Sequence, residues 1–225
     1  MHVVIQFRMP IKFQDTEEKT TGKNLYSYQK GAIDKIFERF ENSPNDYHLL
    51  YQLPTGGGKT VIFSEIVRQY LKHHKSRVLV LTHRIELCKQ TSNMLTEFGV
   101  VNKVINSKAK LDDQRDYSCF VAMVETLNNR LTDNVLDISD IGLVIIDEAH
   151  YNSFTKLFKF FHKSFILGVT ATPLSSNIEL PMTDNYDELI VGESIESLIQ
   201  NNFLSRAETF VYNVGLTSLV VGANG

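Results

Sequence analysis

Residues 54–60 combine the residue types that bind the phosphates of a nucleotide. They lie between an apolar segment and a stretch with helical periodicity. Glycines let a backbone approach a phosphate closely and turn its amides toward it, and a following helix adds the positive end of its dipole. We expect Lys59 to contact the β- and γ-phosphates and the Thr60 hydroxyl to bind Mg²⁺. The predicted nucleotide-binding loop comprises Pro54, Thr55, Gly56, Gly57, Gly58, Lys59 and Thr60.

Two adjacent carboxylates, Asp147 and Glu148, follow a strongly apolar segment at residues 141–146. A carboxylate at the tip of a buried strand beside a phosphate loop can hold Mg²⁺, and a neighbouring one can take a proton from an attacking water. We therefore assign Asp147 to the metal and Glu148 as the general base. The alternative is an acidic helix start without a chemical role. The phosphate loop in the same chain favours the catalytic interpretation.

The rest of the sequence predicts the elements that position these residues. Segments rich in Val, Leu and Ile alternate with segments of helical period, which is typical of an α/β domain with a mostly parallel sheet. Ligands bind beyond the carboxyl ends of such strands, where both motifs fall. The predicted strands are Tyr47–Leu53, Val78–Thr82, Val100–Ile105, Cys119–Val124, Leu143–Asp147, Phe165–Thr170 and Glu208–Tyr212. The predicted helices are residues 28–40, Lys59–Lys72, Ile85–Phe98, Glu125–Leu131, Phe154–His162 and Ile195–Asn201.

Composition restricts the function only weakly. The two cysteines, Cys88 and Cys119, lie in apolar stretches, so we expect reduced core thiols and neither a disulfide framework nor a metal site. The chain has no basic start followed by a long apolar run, so neither a signal peptide nor a transmembrane helix is expected, and the cytoplasm is the expected location. A net charge of −3 does not itself favour nucleic-acid binding, although a narrow basic groove would suffice for it.

Four motifs occur in the order known from superfamily 2 helicases and translocases, which the chain resembles from about Leu25 to about Tyr212. The motifs are residues 53–60, the strand-contacting segment 80–90, the Asp-Glu-Ala-His (DEAH) box 147–150, and the segment 168–173, which resembles what the family numbers as its third motif. The resemblance is to the DEAH-box group that includes the motor subunits of restriction enzymes, such as the type III enzymes. It implies a three-layer RecA-like P-loop NTPase domain that uses ATP and Mg²⁺.

The same resemblance implies roles for three residues that couple ATP hydrolysis to nucleic-acid binding. His150 of the box would connect the metal site to Thr170 and Thr172 of the third motif. Taken without the family, a histidine after a strand is more often a satisfied core side chain, and the two threonines could be strand-end caps.

Two residues near the start of the domain are candidates for binding the adenine. Gln29 stands where the family has a glutamine that contacts the adenine edge. The arginine that usually precedes it by three positions is replaced by Tyr26, and we hypothesise that Tyr26 stacks on the adenine instead. The alternative is that Tyr26 and Tyr28 are packing residues of an amphipathic helix.

The predicted nucleic-acid contacts are His83, Arg84 and Thr126. His83 and Arg84 lie at a strand–helix junction, where side chains and helix-start amides can hold phosphates. Thr126 occupies a position where relatives contact the strand, although Glu125 beside it departs from their pattern and would repel a phosphate. A surface arginine without a ligand is the alternative for Arg84. The charged loop 103–115 is expected to be solvated.

We divide the chain into an N-terminal arm at residues 1–24, a RecA-like ATP-binding domain at 25–214, and the start of a linker at 215–225. Motors of this superfamily place ATP between two such domains, so we expect a fragment that lacks its second motor domain, binds ATP–Mg²⁺ and hydrolyses it slowly alone. The nucleic acid is expected to be DNA rather than RNA, by likeness to the restriction group, and no membrane is expected. The alternative is a nucleotide-dependent binding or regulatory module that does not translocate.

Overall fold

The computed structural model describes residues 24–108, 116–133, 138–175, 179 and 181–206, and all structural statements concern these residues. The strands are β1 (His48–Gln52), β2 (Arg77–Thr82), β3 (Asn102–Ile105), β4 (Cys119–Met123), β5 (Ile141–Asp147), β6 (Phe165–Thr170) and β7 (Glu188–Val191). The helices are α1 (Ser27–Asn42), α2 (Lys59–His73), α3 (Ile85–Glu97), α4 (Val124–Thr132), α5 (Thr155–Phe158) and α6 (Ile195–Gln200).

The described strands form one parallel sheet in the order β3-β4-β2-β5-β6-β1-β7. Because the strands are parallel, their carboxyl ends lie along one edge of the sheet. Gln52 at the end of β1 pairs with Thr170 of β6, and Asp147 at the end of β5 pairs with Val169 of β6. The phosphate loop, the third motif and the acidic pair therefore emerge from three adjacent strands.

Helices cover both faces of this sheet. Alternate residues of a strand point to opposite faces, and those of β2 enter two separate clusters of buried side chains, with Val80 in one and Leu79 in the other. The first cluster includes residues of α1, α2 and α3, and the second includes residues of α4 and α5. The predicted three-layer α/β architecture is thereby confirmed.

Two elements differ from the sequence prediction. β7 was not predicted, because it has four residues, two of them exposed, at the edge of the sheet. The helix predicted for Phe154–His162 is too long, since only α5 and a preceding 3-10 turn are helical. Beyond α5, the chain continues in turns closed by i to i−3 hydrogen bonds at Phe160 and Phe161. Buried side chains at positions 154, 157 and 161 gave the pattern its helical period.

The predicted strand Glu208–Tyr212 and the linker at 215–225 lie outside the described residues, as does nearly all of the N-terminal arm. Among the described residues, no helix combines the length and the apolar character required to cross a bilayer.

Candidate active site and nucleic-acid face

The phosphate loop connects β1 to α2, and backbone hydrogen bonds hold both its start and its interior. The Leu53 amide donates to the Thr170 carbonyl at 2.9 Å, which ties the start of the loop to β6. The Gly57 amide donates to the Pro54 carbonyl at 3.0 Å. Gly56 and Gly58 both have φ of +84°, in the left-handed region that favours glycine. The loop conformation therefore depends on glycine at these two positions.

Two side chains of α1 brace this loop. The Tyr28 hydroxyl donates to the Gly57 carbonyl at 2.8 Å. Gln29 is buried, its Oε1 accepts from the Tyr26 amide at 3.0 Å, and its Nε2 lies 2.6 Å from where a β-carbon at Gly58 would stand. The structure thus places Gln29 against the loop, as expected for a residue near the nucleotide. Tyr28 also contacts the loop, whereas its place in the helical pattern indicates only a packing role.

The side chains of Lys59 and Glu148 lie close together at the end of the phosphate loop. Lys59 is the first residue of α2, and its Nζ lies 3.4 Å from the Leu53 carbonyl and 3.7 Å from Oε1 of Glu148. Lys59 is only 9% exposed, so its side chain is largely shielded from water. Glu148 has a φ of +53°, a conformation that is uncommon outside glycine and that directs the backbone sharply after β5. The structure thereby brings together Lys59, the predicted phosphate-binding residue, and Glu148, the predicted general base.

Asp147 is a buried carboxylate at the tip of β5. Burial and the neighbouring Glu148 carboxylate raise the pKa of Asp147, the attraction of Lys59 and the Glu148 amide oppose them, and together they hold this pKa at about 6. The Glu148 amide donates to Oδ1 of Asp147 at 3.1 Å. The charged form of this side chain is therefore disfavoured unless a cation lies beside it.

We expect Asp147→Asn to increase the free energy of unfolding in metal-free buffer at pH 8. The folded pKa of Asp147 lies above its unfolded value, so the native state binds more protons between about pH 4 and 6 and loses stability as the pH rises through that window. The asparagine variant lacks this loss, which amounts to on the order of 1–3 kcal/mol. Urea unfolding of both proteins at pH 4 and pH 8 measures it.

The exposed Asp46 provides the control for this comparison through Asp46→Asn. A stabilisation by Asp147→Asn that is equal at both pH values would show that burial of the charge is not its cause.

The three residues predicted to couple ATP hydrolysis to nucleic-acid binding are connected by hydrogen bonds. Nδ1 of His150 lies 3.0 Å from Oγ1 of Thr170 and 3.4 Å from Oε2 of Glu148. The Thr170 hydroxyl donates to the Thr172 carbonyl at 2.9 Å and accepts from the Thr172 amide at 3.2 Å. Thr170 is fully buried whereas Thr172 is exposed. The structure therefore joins the acidic pair to the surface of the third motif through His150.

An aromatic group lies beside the phosphate loop on the α1 side. The ring of Tyr26 is 50% exposed and lies 5.9 Å from the Tyr28 ring and 4.7 Å from the Phe203 ring. A β-carbon at Gly56 would stand 2.8 Å from Cδ1 of Leu204, so the segment after α6 also reaches the loop. Neither Phe203 nor Leu204 was predicted near the nucleotide. Tyr26 thus remains half exposed while its ring packs against Phe203 and against Tyr28, the residue that bonds the loop.

The residues predicted to bind nucleic acid lie at the ends of β2 and β4, which are paired strands. Arg84 is exposed and has an extended backbone as the N-cap of α3, while His83 is half-buried. Thr126 is half-buried in the first turn of α4. The Glu125 carboxylate forms a 2.6 Å ion pair with Lys156, which reduces the repulsion that it would exert on a phosphate.

Comparison with known proteins identifies the family. The family described as type III restriction enzyme, res subunit, matches residues 22–175, which is more than half of the chain. The chain belongs to this family. The resemblance to superfamily 2 motor domains of the restriction group is thereby confirmed, with the phosphate loop, the DEAH box and the third motif all inside the matched range.

Individual relatives agree with this family. A Saccharomyces cerevisiae protein, IRC3, whose naming as an ATP-dependent helicase is provisional, is 31% identical over 82% of this chain and 28% of its own length. The type I restriction enzyme EcoAI endonuclease subunit of Escherichia coli is 27% identical over 89% of this chain and 25% of its own. The chain therefore spans about a quarter of the length of these relatives.

Solved structures share the fold. The type ISP restriction-modification enzyme LlaGI superposes with a TM-score of 0.61 at 17% identity, covering 80% of this chain and 21% of that one. The Hef helicase domain of Pyrococcus furiosus gives a TM-score of 0.59 at 22% identity, covering 74% of this chain and 38% of that one. These likenesses show the RecA-like fold of the domain.

Proposed function

We propose that this chain is the ATP-binding domain of a nucleic-acid-dependent motor, in which ATP hydrolysis is coupled to strand binding. The observation that carries the proposal is the position of Glu148. Its carboxylate lies 3.7 Å from the Lys59 ammonium on one side and 3.4 Å from the His150 imidazole on the other. One carboxylate thus contacts both the phosphate-binding lysine and the histidine that leads to Thr170.

In the proposed reaction, Glu148 takes a proton from a water that attacks the γ-phosphorus of ATP. The bond from that phosphorus to the bridging oxygen breaks, and ADP leaves with the electron pair. Lys59 stabilises the charge on the phosphate oxygens, and the amides of residues 54–60 hold the β- and γ-phosphates. Positioning and charge stabilisation supply most of the rate in such reactions, which suits a rigid loop braced by Tyr28 and Gln29.

The residues at the phosphate loop also fit Mg²⁺. Thr60 offers a hydroxyl and Asp147 a carboxylate, and both are the hard oxygen ligands that Mg²⁺ prefers. Mg²⁺ commonly uses only one or two protein ligands and completes its shell with waters and phosphate oxygens. The raised pKa of Asp147 is consistent with this role, because a bound cation would stabilise its charged form. When bound, Mg²⁺ would neutralise charge on the β- and γ-phosphates.

For the nucleic acid, we propose DNA, bound at the edge that carries His83, Arg84 and Thr126. Two of the relatives above are restriction enzymes, and the LlaGI structure is described as a complex with a DNA substrate mimic. Other relatives favour RNA, since African swine fever virus proteins provisionally named as RNA helicases are 29% identical over 74% of this chain. We further propose a second motor domain opposite residues 54–60, which supplies arginines to the γ-phosphate.

Steady-state ATP hydrolysis by the full product of the gene tests this function. We expect turnover to require Mg²⁺ and to rise on addition of single-stranded or duplex DNA, with a smaller rise for RNA of the same sequence. Equal stimulation by RNA would refute the DNA assignment alone. Turnover that no nucleic acid changes would refute the motor and support the alternative of a nucleotide-dependent regulatory module.

We expect Tyr26→Ala to weaken ATP binding if Tyr26 stacks on the adenine. Its exposed ring lies next to the phosphate loop, and base–aromatic stacking contributes about 1–3 kcal/mol, or roughly 5- to 150-fold in affinity. Titration with a fluorescent ATP analogue measures the loss. Inorganic triphosphate, which has no base, should bind the variant and the wild type equally. An unchanged ATP affinity would refute the stacking role and leave Tyr26 as a packing residue.

A further inference from the structure

Tyr151, the residue that follows the DEAH box, contacts two imidazole rings. Its ring centroid is 4.2 Å from that of His83 and 4.2 Å from that of His150, with interplanar angles of 31° and 37°. Tyr151 is half-buried and packs against the core cluster on the α4 and α5 side. Tyr151 and two histidines from different motifs therefore form one series of tilted ring contacts, termed the aromatic stack.

The two ends of this stack have different surroundings. At one end, His150 contacts Glu148 and Thr170, so its position depends on what Glu148 contacts in the nucleotide site. At the other end, His83 directly precedes Arg84, the N-cap of α3. The Thr82 hydroxyl donates to the Arg84 carbonyl at 3.1 Å, which fixes the backbone on either side of His83. The stack thus connects the nucleotide site to the start of α3.

The His83 ring has little other polar anchoring. Its Nδ1 is buried and has no hydrogen-bond partner among the described residues. Burial lowers the pKa of His83, the charges of Arg84 and His150 lower it further, and the Glu148 carboxylate opposes them, so the imidazole is neutral near pH 7. Aromatic packing against Tyr151 is therefore a main determinant of where this ring sits. A displacement of Tyr151 is expected to displace His83 with it.

We propose that Tyr151 is a positioning residue that transmits the state of the nucleotide site from His150 to His83 and the N-terminal end of α3. This route is separate from the one through Thr170 and Thr172, because it uses the ring contact between His150 and Tyr151 and not the Nδ1 contact with Thr170. The inference rests on the proposed function, since it requires that nucleotide contacts move His150. Coupling between sites is carried by contiguous packed groups of this kind when they have two arrangements.

Histidine-selective NMR of the chain with labelled imidazoles tests the inference. The His83 and His150 signals are assigned with His83→Asn and His150→Asn, and spectra are recorded with Mg·ADP and with a magnesium complex of a non-hydrolysable ATP analogue. We expect both histidines to shift between the two nucleotides in the wild type and in Tyr151→Phe, which keeps the ring. In Tyr151→Leu, which keeps apolar bulk without a ring, the His150 shift remains and the His83 shift is lost.

Each other outcome is informative. A His83 shift that persists in Tyr151→Leu, or that is missing in the wild type while His150 responds, would overturn the role of Tyr151. If Tyr151→Leu fails to fold, Tyr151→Met supplies the same comparison with a flexible apolar side chain. Absence of nucleotide binding would overturn the proposed function and this inference together, and nucleotide affinity measured in the same samples distinguishes that case.

Discussion

Replacing Glu148 with glutamine is expected to reduce ATP hydrolysis by about 10²–10⁴-fold while ATP still binds. Glutamine keeps the shape of the side chain but cannot accept the proton of the attacking water. The Lys59 ammonium remains beside the loop, 3.7 Å from the position of the lost charge, and continues to hold phosphate oxygens. The measurement is steady-state turnover by the full product of the gene at saturating ATP and single-stranded DNA, together with the affinity of a fluorescent ATP analogue.

Glu41→Gln, at an exposed position of α1, is the matched control and should leave turnover unchanged. Normal hydrolysis by Glu148→Gln would show that another group activates the water and that the base assignment is wrong. A joint loss of binding and turnover would place Glu148 in the structure of the loop and not in the chemical step.

Replacing Lys59 with alanine is expected to weaken nucleotide binding by at least about 30-fold. Removal of one partner from a buried charged contact typically costs 2–5 kcal/mol, or about 30-fold or more in affinity. Lys59 is 9% exposed, so water cannot readily replace its ammonium, and Glu148 is left without its cation. Fluorescence titration with an ATP analogue measures the effect, and adenosine, which has no phosphates, should bind both proteins equally.

The exposed Lys35 of α1 provides the control through Lys35→Ala, which removes the same charge away from the loop. Equal losses for the two lysine variants would attribute the effect to net charge. An unchanged affinity in Lys59→Ala would contradict the assignment of residues 54–60 to the phosphates.

The parts of the site that the sequence predicts are the ones set by local order. The glycines, Lys59 and Thr60 are adjacent in the chain, as are Asp147 and Glu148, so each group is recognisable without knowledge of the fold. The alternation of apolar and helical segments predicts the parallel sheet, and the sheet brings these two groups to one edge. The sequence therefore predicts both where these two groups lie, at the carboxyl ends of the strands, and which chemistry their side chains suit.

The parts that the sequence does not predict depend on contacts between distant segments. The Tyr28 hydroxyl reaches the carbonyl of Gly57, 29 positions away, and nothing local distinguishes it from a packing tyrosine. Phe203 lies beside Tyr26 because β7 pairs with β1 and the segment after α6 reaches the phosphate loop. β7 itself is too short and too exposed to be predicted from the sequence. Tyr151 had a local signal, its position next to the box, but its contact with His83 requires the pairing order of the strands.

The relatives of this chain are much longer than the chain itself. The chain spans about a quarter of IRC3 and of the EcoAI subunit, so those proteins contain much more than this domain. The described residues supply a phosphate loop, an acidic pair and a connected histidine at one edge of the sheet. We therefore propose that the groups which neutralise the γ-phosphate from the other side come from a second motor domain.

If nucleotide binding and strand binding are coupled, the affinity for single-stranded DNA must depend on which nucleotide is bound. Fluorescence anisotropy of a labelled oligonucleotide gives its Kd for the full product of the gene without nucleotide, with Mg·ADP, and with Mg²⁺ and a non-hydrolysable ATP analogue. We expect the Kd to differ by about fivefold or more between the ADP and ATP-analogue states, and Lys59→Ala to abolish the difference. The same Kd in every nucleotide state would show that nucleotide binding and strand binding are independent in this protein.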